Sequence, residues 1–138
     1  MTTWPVLLLA ATALHAGFQL TVTALVYPAL VRVAPAQFPQ AHHRHSRGIV
    51  PLVALVYGSA AIAGVGALVT SPAAVSAWVA VLATGAAVAL TAFRAAPLHG
   101  RLGRHGPDPE LLAALLRADA GRTACALLAL VAALAHAL

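Results

Sequence analysis

Charge is what this sequence has least of. Only 8% of its residues are charged, about a third of the share in a soluble globular domain. A water-facing surface of ordinary composition cannot be drawn from that stock. Lysine is absent, and the only acids are Asp108, Glu110 and Asp119. The cations are arginines: Arg32, Arg44, Arg47, Arg94, Arg101, Arg104, Arg117 and Arg122. Aromatics make up 5% of the chain and do not interleave with the arginines as a stacking platform for bases. No nucleic-acid partner is therefore expected, despite a pI near 11.2. One cysteine, Cys125, excludes an intramolecular disulfide; inside an apolar run it reads as a small packing residue. No basic residue precedes Arg32, so the first apolar segment lacks the positive start of a cleaved signal peptide and is read as retained.

Apolar residues are what remains: 62% of the chain, with a mean hydropathy of +0.91. A membrane-crossing helix needs about 20 of them in a row, and four stretches qualify. The expected fold class is all-α: an integral membrane four-helix antiparallel bundle, one transmembrane domain over residues 1–138. The segments are placed at about 5–31, 48–69, 72–93 and 118–138. The last has an early start near 109, because Asp108 suits an N-cap, Pro109 a first helical position and Glu110 the positive helix end.

Thr70, Ser71 and Pro72 leave room only for a tight turn between the second and third segments. The other two connections, 32–47 and 94–117, are polar and, with four spans, lie on one side. They hold every arginine except Arg122. The positive-inside rule places both loops in the cytoplasm of a plasma-membrane protein, with N- and C-termini outside. Ala60 and Gly64 in the second segment have the small-xxx-small spacing that lets helices approach closely, and are read as packing within the bundle. Four helices enclose little volume, so a homo-oligomer is expected.

Polar side chains are costly in hydrocarbon and should face the bundle interior with a partner. His15, Gln19, Thr23 and Tyr27 recur every four residues, each step turning the stripe by only about 40°, and Thr12 joins them. His15 and Gln19 are candidates to line a cavity, with Thr23 and Tyr27 as further binding residues and Tyr57 of the second segment beside them. Asp119 and Arg122 are spaced to pair within one turn. Arg94 ends the third segment on the same side and is a candidate to reach Asp119 or a ligand. His42, His43 and His45, with His99 and His105 in the second loop, include imidazoles suited to zinc or copper, but no cysteine or carboxylate stands nearby. Counted from the cytoplasmic ends of their segments, His15 should lie about 24 Å deep and Arg122 only about 6 Å. A single small ligand would not reach both.

Gly17-Phe18-Gln19 followed by Tyr27-Pro28-Ala29-Leu30 resembles the first helix of anthrone-oxygenase-like small membrane proteins. Ala96-Pro97-Leu98-His99-Gly100-Arg101-Leu102 is similar to that family's segment after helix 3. Asp119-Ala120-Gly121-Arg122-Thr123 is similar to its Arg-Thr pair opening helix 4, although the tryptophan expected just before that pair is missing. The resemblance implies a four-helix membrane protein. It also implies, from some relatives, oxidation of an anthrone by dioxygen in polyketide pathways, with His99, Arg122 and Gln19 as the residues to test.

The leading functional expectation is a membrane-embedded biosynthetic enzyme, a cofactor-independent oxygenase or cyclase. Its substrate would be small, hydrophobic and aromatic or polyketide-like, entering laterally from the bilayer or from the cytoplasmic mouth. His15 or His99 would remove a proton. Arg122, oriented by Asp119, would stabilise the enolate or phenolate. The alternative is a metal-, haem- or quinone-binding membrane component, or a small transport or complex subunit. There His15 with His136, or the loop histidines, would supply ligands.

Overall fold

A computed structural model of the protein describes residues 3–138, and nearly all of them are helical. Four helices follow one another: α1 (Thr3–Val31), α2 (Phe38–Thr70), α3 (Val75–His105) and α4 (Pro109–Ala137). Each is long and apolar enough to cross a membrane. All run further than hydropathy alone suggested, mostly at their polar ends. The stretch 38–47, expected as loop, forms the first turns of α2, and 94–105 continues α3. Hydropathy marks where apolar residues stop, whereas a helix stops where its backbone hydrogen bonds do. Pro72 lies in the turn ahead of α3, not within the helix.

The ends have local causes. Gly106, at φ 82, terminates α3 in the left-handed region that a side chain would resist. Asp108 then caps α4: its carboxylate accepts from the Leu111 backbone N–H at 2.9 Å, with Pro109 at the first helical position.

Both α1 and α3 contain one π-helical turn, at Val22–Val26 and Thr91–Ala95. Each turn ends two residues before a proline, and the residue between them closes it. The Tyr27 N–H reaches back five residues to the Val22 carbonyl, ahead of Pro28, and the Ala96 N–H does the same to Thr91, ahead of Pro97. A proline ring collides with the carbonyl four residues earlier in a regular helix, and a widened turn relieves that collision. Such turns recur at functional sites, and both of these adjoin the site described below.

The helices contact in a ring, α1 with α2, α2 with α3, α3 with α4 and α4 with α1, and the α2–α3 contact is the least extensive. One end is closed by small residues: Ala11, Ala60, Ala63, Ala67, Ala80, Ala132 and Ala133 pack around Leu8. Gly64 belongs to this close packing, since a Cβ there would sit 2.9 Å from Val81 Cγ2 of α3. Gly66 leaves room for the Trp4 ring of α1. At the other end larger side chains pack, among them Tyr27, Leu30, Phe38, Leu102, Leu111 and Leu115. The polar groups lie toward this second end.

Candidate functional site

The polar stripe of α1 points inward. Thr12 and His15 are fully buried, and Gln19 and Tyr27 nearly so. Its focus is Asp119 of α4, 1% exposed. The Asp119 Oδ1 accepts from Gln19 Nε2 at 2.6 Å and from Arg122 Nη2 at 2.7 Å. The Thr23 hydroxyl lies 2.7 Å from Oδ2 and 2.8 Å from the Thr123 hydroxyl. A carboxylate held by three donors is satisfied without water, which is what allows an ion inside an apolar bundle.

Arg122 points the other way, toward a cleft. Its Nη2 donates to the Tyr27 hydroxyl at 3.1 Å and its Nη1 to the Thr91 hydroxyl at 3.4 Å. Thr91 in turn lies 2.8 Å from the Tyr57 hydroxyl. These groups form one wall of a cleft of about 380 Å³, whose other lining is mostly apolar and includes Phe18, Val22, Ile49 and Val53. Val50 and Ala54 of α2 and Ala96 of α3 line the cleft and are exposed, so it opens between α2 and α3. Among the described residues Arg122 is the only arginine in its lining, and no carboxylate joins it there.

His99 lines the same cleft. Its Nε2 is 3.1 Å from the Tyr27 hydroxyl and its Nδ1 is 3.1 Å from His42 Nε2. The His45 ring lies 5.4 Å from the His99 ring and 6.0 Å from Tyr27. His42 and His45 therefore join the site from the early turns of α2, while His43 is exposed. Among the described residues no three histidine, cysteine or carboxylate side chains are arranged to hold a metal ion.

Several expected site residues fall elsewhere. His15 does not line the cleft; it lies edge-on to Tyr57, with ring centroids 5.1 Å apart, and reaches the cleft only through that ring. Neither of its ring nitrogens has a hydrogen-bond partner among the described residues. Gln19 and Thr23 likewise stand behind Arg122 and hold Asp119. Arg94 is exposed and lines a separate groove with Arg101 and Arg117; Asp119 pairs with Arg122 instead. The depth mismatch between His15 and Arg122 disappears because α4 starts at Pro109. Thirteen residues then precede Arg122, about 20 Å of helix. Thr91, Phe18 and Ser46 were missed, since a single threonine, phenylalanine or serine within a helix carries no distinguishing pattern.

Fold and site define an all-α protein of four long apolar helices, with a charged pair buried beside an apolar cleft. No protein-family model matches the chain, and no curated protein or solved structure shows significant similarity to it.

Proposed function

We propose that the protein is a membrane-embedded enzyme that ionises a small hydrophobic, aromatic or polyketide-like substrate and holds the resulting enolate or phenolate. The observation that carries this reading is the polar wall of the cleft: Arg122, Tyr27 and Thr91, fixed by Asp119 from behind, at the inner side of an otherwise apolar space. Donors prearranged in an apolar, water-poor site stabilise developing oxyanion charge far better than in water. The volume falls within the range for small-molecule sites, about 300–1,000 Å³.

Rings of the substrate would lie against Phe18, Ile49 and Val53, with its oxygen toward Arg122. The Tyr27–His99 pair, 3.1 Å apart, would accept the proton. The enolate is the electron-rich species from which oxygenation by dioxygen, or ring closure, would proceed. The four helices would cross the plasma membrane as an antiparallel bundle with both termini outside. Their arginine-rich ends would face the cytoplasm, and the opening between α2 and α3 would admit substrate from the bilayer. The resemblance to anthrone-oxygenase-like proteins points the same way, and no cofactor is invoked.

The test uses anthrone and purified protein in nanodiscs, under nitrogen in heavy water, with deuterium uptake at the anthrone methylene as readout. The wild type should accelerate uptake. Arg122→Gln should lose about a hundredfold, as for removal of one oxyanion donor, whereas Arg94→Gln should match wild type. A wild-type rate equal to that of empty nanodiscs would sink the proposal. A quinone-binding component would use the same donors for carbonyl oxygens; it predicts saturable menadione binding without exchange. A metal or haem carrier predicts stoichiometric metal in the purified protein.

A further inference from the structure

With the helices in a bilayer, the opening of the cleft between α2 and α3 would face lipid, so a proton removed from a substrate would need another way out. A second groove, of about 360 Å³, lies beside the cleft and is lined by Pro39, His42, His43, Ser46, His99, Gly100 and Gly103. His99 and Ser46 line both spaces. The chain Tyr27–His99–His42, with two links of 3.1 Å, therefore joins the polar wall of the cleft to the groove.

The hydrogens in this chain follow from what each group is able to do. Arg122 only donates, so the Tyr27 oxygen accepts from it. The one hydrogen of that hydroxyl then has a single acceptor within reach, His99 Nε2. Were His99 the donor, the Tyr27 hydroxyl hydrogen would have no partner. His99 thus carries its proton on Nδ1 and gives it to His42 Nε2, which leaves His42 with its proton on Nδ1. Every donor points from the cleft toward the groove. His45 and Arg122 are the other titratable or charged groups facing His99, and His43 and His45 neighbour His42 along α2.

We propose that Tyr27, His99 and His42 form a proton exit from the cleft, with His42 as its outer station. The inference rests on the cleft being an oxyanion site. Ionisation of a bound phenol breaks its O–H bond. The proton passes to the Tyr27 oxygen as the Tyr27 proton passes to His99 Nε2. The His99 Nδ1 proton moves to His42 Nε2, and the His42 Nδ1 proton leaves to water in the groove. The phenolate stays on Arg122, and no electron changes hands. His42 touches no substrate and acts only through His99.

Two measurements test this. The first needs no turnover: ¹⁵N NMR of histidine-labelled protein in nanodiscs at about pH 8, above the ordinary histidine range. Neutral histidine in water favours the proton on Nε2, so the expected Nδ1–H form at both His42 and His99 is distinctive. Tyr27→Phe should return His99 to the Nε2–H form. Finding His99 with its proton on Nε2 in the wild type overturns the exit, whatever the cleft binds. The second follows 4-nitrophenolate absorbance after a temperature jump. His42→Ala should slow phenolate formation at least about tenfold with unchanged affinity for the phenol, and added imidazole should restore the rate. An unchanged rate in His42→Ala refutes the exit. Absence of phenolate on the wild-type protein refutes instead the oxyanion reading beneath it, and the NMR result still decides the chain.

Discussion

Asp119 gives the most demanding test of how this bundle tolerates charge. Asp119→Asn keeps the shape of the side chain but removes its negative charge. It also turns one carboxylate oxygen into a donor, which must then face Arg122 and Gln19 on one side or Thr23 on the other. Arg122 is left as an unpaired cation at 5% exposure. Breaking a buried ion pair by removing one partner costs about 3–5 kcal/mol, and an arginine at the centre of a spanning helix costs about 2.5–3.5 kcal/mol on insertion scales. The two routes agree on about 3 kcal/mol, a hundredfold or more in the folded-to-unfolded ratio. The assay is reversible unfolding in mixed micelles, followed by circular dichroism, on Asp119→Asn, Arg122→Gln and the double variant. Replacing both ions together leaves no bare charge, so the double variant should be more stable than Asp119→Asn alone. A cost below about 1 kcal/mol for Asp119→Asn, the level of an exposed pair, would refute the claim that this pair is shielded. So would a double variant whose loss equals the sum of the single losses.

Two further predictions concern the scaffold. Gly66→Ala places a methyl group in the space of the Trp4 ring. Either the ring or α2 must shift, at a cost of about 1–3 kcal/mol. The fluorescence of Trp4, isolated in a Trp78→Phe background, should change together with the unfolding midpoint. Asp108→Ala removes the cap of α4 and should cost about 1 kcal/mol in the same unfolding assay, leaving 4-nitrophenol affinity unchanged because Asp108 lies outside the cleft.

What was legible in the sequence was whatever hydrocarbon makes expensive. His15 and Gln19 were expected inside because neither group survives against lipid tails, and both are inside. The Asp119–Arg122 pair was legible from one-turn spacing, and the capped start of α4 from Asp108 and Pro109. Partners across helices were not legible. Nothing in the spacing of α1 says that Gln19 meets Asp119, because that depends on how α1 and α4 rotate about their axes. His42 and His99 looked like residues of two separate loops. They meet because α2 and α3 continue past their apolar segments and carry both imidazoles to one level.

One signal lay in the open and bears on how the site arose. Thr23-Ala24 stands five residues ahead of Pro28, and Thr91-Ala92 six ahead of Pro97. In both helices the threonine sits at a π-helical turn that the proline accounts for. The two threonines do complementary work, Thr23 on Asp119 and Thr91 on Arg122. Tyr27, directly after the first turn, and His99, four residues past the end of the second, then bond to one another. A regular helix holds side chains at a fixed phase, so residues on either side of a π-helical turn meet directions that 3.6-residue periodicity would not give them. The prolines therefore shape the site although neither lines the cleft. Their place in the sequence, one in α1 and one in α3, marks the two helices on which the ion pair and the histidine chain depend.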